Sequence, residues 1–272
     1  MSKLKNFQKT QVRHWFDFPS EYKNKTIHFY GSDNEELFDK NDALDWDVTG
    51  GEQVTSHIKQ TNKYKKDSIE YKFNSRGMRG PEYEYTCTHT KILHIGASFA
   101  FGFGVNENET YPHYLSRLTH GCYWNVSPVN TILEVVDILE DLINKLNPSA
   151  VIITTPRFVQ DFDFLSKTFR HTINHKELSH MFLETKMQTK NIIQNWWVRY
   201  LNLLSITYDI PIIFTNHGYK YWKDFELPKA NLDNLIFKDI PYADHFVDLC
   251  RDCRHPGPKS HKKFAEYLFK LL

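Results

Sequence analysis

The sequence predicts an α/β protein: a parallel sheet covered by helices on both faces, giving a three-layer α/β/α sandwich. Two observations carry this. From about residue 90 short apolar runs alternate with long amphipathic stretches, and strands joined through helices form parallel sheets with helices on their faces. The runs are continuously apolar and rich in β-branched residues, which suits strands buried on both sides.

In chain order, Ile92-Leu93-His94-Ile95 ends in glycine and reads as the first buried strand, and Tyr123-Trp124-Asn125-Val126 as a second, weaker one. A helix then opens with a capping box, Thr131 three residues before Glu134. Its stripe runs Ile132, Val135, Val136, Leu139, Leu142, Ile143 and Leu146, and Asn147-Pro148 stops it. Ala150 to Thr154 is the third strand. A helix over about 188–207 follows, with Ile193, Trp196, Trp197, Tyr200, Leu201 and Leu204 inward. Pro211 to Thr215 is the fourth strand, and a helix from about Pro258 closes the chain. Residues 1–88 read as an N-terminal accessory segment, with edge-like strands at 26–30 and 69–73 and a turn over 74–81. The main domain is 89–272.

Composition limits the function classes. The 272 residues carry 34 Lys and Arg against 33 Asp and Glu, a net charge of +1. A dedicated nucleic-acid binder would show a basic excess, so no nucleic-acid partner is expected. No run approaches the ~20 apolar residues of a membrane span, and no apolar leader follows Met1. The expectation is a soluble, cytoplasmic protein of unknown oligomeric state. Its Lys, Asn, Phe and Tyr content suits an AT-rich genome, a viral one included. Four cysteines do not make a disulfide scaffold at this length.

In such sheets ligands bind beyond the carboxyl ends of the strands. Ser98 lies there, in Gly96-Ala97-Ser98, and near the other end of the chain Asp252-Cys253-Arg254-His255-Pro256 leads into the last helix. A serine is a weak nucleophile until a base takes its proton, and histidine is the usual base near neutral pH. Asp252, three residues before His255, can turn back to accept from the imidazole and fix its tautomer.

The run Ile95 to Val105 with Glu109 to Leu115 resembles the first block of the SGNH (GDSL-type) hydrolases, and Asp252-x-x-His255 resembles their last. Asn74 to Glu82 is similar to the lead-in of some branches, so the likeness covers 74–272. It implies a flavodoxin-like parallel sheet of about five strands and a serine esterase needing no cofactor and no metal. Ser98 would be the nucleophile, His255 the base and Asp252 its orienting partner. Acyl esters are the implied substrate class, O-acetylated carbohydrate foremost. The middle blocks depart from the family. Asn130 stands where a glycine N–H is usual after Asn125, and Arg157 is nearest to the place of the third-block Asn. The oxyanion donors are then the N–H groups of Ser98 and Asn130, with Arg157. Asn216, His217, Tyr219 and Trp222, after the fourth strand, are candidate substrate contacts beside Arg157. Alternatives on the same fold are an O-acyltransferase and a catalytically degenerate binding or structural module.

Three other features have plainer readings. Cys250-x-x-Cys253 near His255 and His261 invites a zinc site, but Cys87 and Cys122 lie before their strands at the far end of the sheet, so no metal is expected. His171 and His175, at i, i+4 spacing, read as a solvated helix face, and Trp196-Trp197 as core. The aromatic stretch from Pro156 to Lys190 is long for a connection and is expected to form a lid or part of the acyl pocket.

Overall fold

Strands of this composition stay together only if both faces are covered, and the chain does that. The structure is a computed structural model that describes residues 20–31, 33–42, 58, 64–82, 87–129, 132–154, 196–216, 235–239 and 245–272. Elements in chain order are β1 (Thr26–Ile27), α1 (Glu35–Asp42), β2 (Tyr71–Lys72), β3 (Lys91–Gly96), α2 (Ser98–Phe101), α3 (Tyr111–Leu118), β4 (Cys122–Val126), α4 (Ile132–Leu146), β5 (Ala150–Thr154), α5 (196–208), β6 (Ile212–Asn216), β7 (Leu235–Asp239) and α6 (Pro258–Phe269).

The main sheet has five strands in the order β4-β3-β5-β6-β7, every neighbouring pair parallel. Ile95 of β3 stands opposite Val126 on one side and Ile153 on the other. Side chains alternate faces along each strand. Leu93, Ile95, Val151, Ile153, Ile212 and Phe214 face α4 and α5, where Leu139, Leu142, Ile143, Trp197 and Leu201 cover them. Ile92, Ile152 and Ile213 face the other way, against Phe99, Tyr111, Leu115, Phe264 and Leu268. Each such side chain fully buried contributes roughly 1.5–3 kcal/mol. The two clusters with the sheet between them are the three layers. Among the described residues no helix is long and apolar enough to cross a membrane.

Several expectations need correction. The fifth strand, β7, was not located by pattern: as an edge strand it ends in Lys238-Asp239, so its apolar run is short. The helix α3 was also missed, its sequence Tyr-Pro-His-Tyr-Leu-Ser-Arg-Leu mixing apolar and polar residues. Trp197 is core but Trp196 is 52% exposed and stacks on Tyr200, with ring centroids 5.7 Å apart. Neighbouring helix positions are about 100° apart, so both cannot face the sheet. Cys87 and Cys122 are not free thiols; they form a disulfide. Cys122 opens β4 opposite Lys91 of β3, and Cys87 lies just before β3, so both sit at one end of that strand pair. The capping-box side chains of Thr131 and Glu134, His171 and His175, and the stretch expected as a lid lie outside the described residues.

The N-terminal strands are shorter than predicted. β1 and β2 pair antiparallel, Ile27 opposite Tyr71. Tyr30, Ile69, Tyr71 and Phe73 cluster with Phe101 and Phe103, which follow Ser98 directly. The turn at 74–78 is held by Asn74, whose side-chain oxygen accepts from the N–H groups of Arg76 (3.0 Å) and Met78 (3.1 Å).

Candidate active site

Strand order reverses between β3 and β5, each of which sends the chain to a different side, and the crevice beyond their carboxyl ends is where such sheets bind ligands. β3 delivers Gly96 there. A Cβ on Gly96 would stand 2.6 Å from the Thr154 carbonyl oxygen and 2.8 Å from the Ala100 Cβ, so β5 and α2 close on it only because it is glycine. Ala97 precedes the single-turn helix α2, which begins at Ser98. Gly102, at φ +79°, ends it, its N–H donating to the Ser98 carbonyl at 2.9 Å. Phe99, Ala100 and Phe101 are buried while Ser98 is half-buried. The buried turn thus leaves the serine at the open rim.

Arg79 holds the far side of this turn. Its guanidinium donates to the Phe101, Gly102 and Val105 carbonyls, the first at 2.9 Å. It also lies over the Tyr71 ring, 4.4 Å from the centroid. Complete burial pushes its pKa down to about 10, which still leaves it charged at neutral pH. A cation at carbonyls that end a helix turn is favourably placed.

The second loop is closed at its base. Leu249 bridges Pro256, the Cys250 N–H donates to the His255 carbonyl (2.9 Å) and the Gly257 N–H to the Asp248 carbonyl (2.9 Å). Asp248 accepts from the N–H of Ser260 (2.8 Å), tying the loop to the start of α6. Within the loop, Asp252 is 3% exposed. Its Oδ1 accepts from the N–H groups of Arg254 and His255, both 2.9 Å, and from the Cys250 thiol at 3.0 Å. Its Oδ2 stands 2.6 Å from His255 Nδ1. Burial alone would raise the Asp252 carboxyl. The His255 ring and the hydrogen bonds from His255 and Cys250 outweigh it and hold the group well below the usual carboxylate range. Burial, with Asp252 beside it, pushes the Cys250 thiol well up, so it remains a donor. An ionised Asp252 requires the proton on Nδ1, which leaves Nε2 as the nitrogen that can accept.

The two loops touch. The Phe103 ring lies 5.3 Å from the His255 ring, and the Arg251 N–H donates to the Gly104 carbonyl at 3.1 Å. The third loop, after β4, is pinned by the Val129 N–H donating to the Gly96 carbonyl at 2.7 Å. Asn125 faces inward, its amide donating to the Ala100 carbonyl at 2.8 Å, so it braces α2.

Of the predicted site residues, the structure therefore joins Asp252 to His255 and places Ser98 on the neighbouring loop. Asn130, Arg157, His217, Tyr219 and Trp222 lie outside the described residues, and Asn216 is the last residue of β6. Pattern reading missed Asp33, Tyr71, Arg79 and Arg251. The visible signal for Arg79 was its place in a glycine-flanked turn, Gly77-Met78-Arg79-Gly80.

No family model matches the chain, and no curated protein matches it. Solved structures do. One is described as a lipolytic protein of the G-D-S-L family from Desulfitobacterium hafniense DCB-2, 17% identical over 67% of this chain and 99% of that one, with TM-score 0.45. A second is described as a GDSL-like lipase from Bacteroides ovatus ATCC 8483, 16% identical over 66% of this chain and 51% of that one, TM-score 0.40. A third is a family 3 carbohydrate esterase from Clostridium thermocellum, 18% identical over 66% and 94%, TM-score 0.36. At these values no activity and no substrate passes to this chain from them.

Proposed function

We propose that this protein is a serine ester hydrolase of the SGNH type. The observation that carries the reading is the 2.6 Å pairing of His255 Nδ1 with the buried Asp252 carboxylate, on a loop that touches the turn bearing Ser98. In this mechanism Ser98 Oγ attacks the ester carbonyl carbon while His255 Nε2 takes its proton. The oxyanion is held by the N–H groups of Ser98 and Asn130, with Arg157 as a charged donor. The tetrahedral intermediate collapses, the C–O bond breaks, and the alcohol leaves with the proton from His255. Water, deprotonated by the same nitrogen, then releases the acid and regenerates Ser98. A sugar hydroxyl in place of that water would make the product a new ester. Substrate contacts fall to Arg157, Asn216, His217, Tyr219 and Trp222, and acetyl esters of carbohydrate are the first class to assay.

Turnover of p-nitrophenyl acetate and labelling by a fluorophosphonate probe test the proposal, both being abolished in Ser98→Ala. Labelling that survives in Ser98→Ala means another serine reacts.

A second reading, a non-catalytic binding module, is favoured by the altered middle blocks: Asn130 stands where a glycine is usual and Arg157 is nearest to the place of the third-block Asn. An unreactive Ser98 and no turnover across a broad ester panel would select the second reading.

A further inference from the structure

We infer that Asp33, Tyr71, Gly104 and Arg251 form a closed hydrogen-bond circuit that sets the register between the Ser98 turn and the Asp252–His255 loop, which makes Asp33, Tyr71 and Arg251 positioning residues for the ester hydrolysis proposed above. The inference rests on that reading for its chemistry and on the following contacts for its geometry.

The circuit runs through four links. The Arg251 N–H donates to the Gly104 carbonyl at 3.1 Å. The Gly104 N–H donates to the Tyr71 hydroxyl at 2.6 Å. That hydroxyl donates to Asp33 Oδ2 at 2.6 Å. The Arg251 guanidinium then closes the ring on the same carboxylate, Nε to Oδ1 at 3.0 Å and Nη2 to Oδ2 at 2.6 Å. Gly104 is on the loop that leaves Ser98, and Arg251 immediately precedes Asp252. Asp33 and Tyr71 come from the N-terminal segment. That segment is therefore the part that spans the two catalytic loops, rather than an appendage on the far side of the molecule.

Three features separate this from ordinary packing. All three side chains are buried, Tyr71 and Arg251 completely. A buried ion pair is weak as a source of stability, and its best-attested use is to fix register. All three guanidinium nitrogens of Arg251 are also engaged: further donors go to the Lys66 carbonyl (2.7 Å) and the His28 carbonyl, with Cζ 4.3 Å from the Phe29 ring centroid. Finally, Gly104 has φ +70°, and a Cβ there would stand 3.0 Å from both the Arg251 nitrogen and the Cys250 Cβ. The loops meet at Gly104, whose backbone is tied on both its N–H and its carbonyl.

The test uses the full chain. Tyr71→Phe removes one oxygen, which both accepts from Gly104 and donates to Asp33, and keeps the ring that stacks on Phe101 at 5.8 Å. A misplacement of about 1 Å can cost about a hundredfold in rate. We expect kcat on p-nitrophenyl acetate to fall about 10- to 100-fold with KM within about twofold of wild type. Asp33→Asn should do the same, and the double variant should be no worse than the poorer single one, because both open one ring. A role confined to folding would move the thermal midpoint and leave kcat at low temperature alone. The low-field proton resonance of the His255–Asp252 pair is the second readout, expected to shift or broaden in Tyr71→Phe. If neither variant folds, hydrogen exchange of wild type decides: segments 102–105 and 249–255 should open together, and independent opening overturns the inference. So does a folded Tyr71→Phe with wild-type kcat and an unmoved His255 resonance. If wild type turns over no ester yet the resonance moves in Tyr71→Phe, the positioning stands and the hydrolase reading falls.

Discussion

His255 Nδ1 lies 2.6 Å from Oδ2 of Asp252, and the other oxygen of that carboxylate is saturated by two N–H groups and a thiol. The carboxylate cannot swing away without abandoning three donors, so the ring's tautomer and tilt are set by the loop itself.

Asp252→Asn keeps the shape and reverses what Nδ1 must do, from donor to acceptor. Turnover should fall about a thousandfold or more, read as kcat/KM on p-nitrophenyl acetate. The same carboxyl gives a stability prediction. Its folded-state pKa is depressed, so its contribution is present above about pH 4 and lost as pH falls below that. Urea unfolding of the variant should show a flatter acid limb than wild type below pH 4.

His94 acts in a different window. It is buried in β3 between Tyr111 (5.4 Å) and Tyr123 (6.1 Å), and neither ring nitrogen has a hydrogen-bond partner among the described residues. Burial pushes its pKa down to about 3. The unfolded chain takes up this proton near pH 6.5 and the folded one does not, so stability is lost as pH drops from there. Relative to wild type, His94→Leu should gain on the order of 2 kcal/mol between pH 8 and pH 5. Parallel stability curves for the two proteins would refute this.

Arg79 is buried with its charge spent on three carbonyls at the end of the Ser98 turn. Arg79→Met should lower unfolding free energy by about 3 kcal/mol or more and slow fluorophosphonate labelling. Lysine should not restore either, because one ammonium cannot present a planar fork to three acceptors.

Gly96→Ala puts a methyl against the β5 backbone and Ala100. The strand end cannot retreat while it pairs with Thr154. Chemical denaturation should show a loss of about 1–3 kcal/mol, with labelling of Ser98 lost alongside.

The Cys87–Cys122 bond leaves Cys250 and Cys253 as the cysteines outside that disulfide. Thiol titration of the denatured, unreduced protein should therefore find two thiols, both absent in the variant with Cys250→Ser and Cys253→Ser. Four thiols would show that the bond does not form.

Much of this architecture is legible without coordinates, for a local reason. The runs at 92–95, 123–126, 150–154 and 211–215 and the stripe of α4 are burial patterns, and burial imposes its period on neighbouring residues wherever an element faces the core. The pairing of Asp252 with His255 is legible too, because contact between an Asp and a His three residues apart is a local matter of one loop. What only the tertiary structure decided is how distant segments meet. No period in the chain says that Asp33 closes on Arg251, that Tyr71 carries Gly104, or that Cys87 reaches Cys122. Such contacts join residues tens to hundreds of positions apart through single polar atoms, and they leave no repeating trace in the sequence. The edge strand β7 and the one-sided helix α3 escaped for a related reason: each shows too much surface for its apolar residues to form an unbroken pattern.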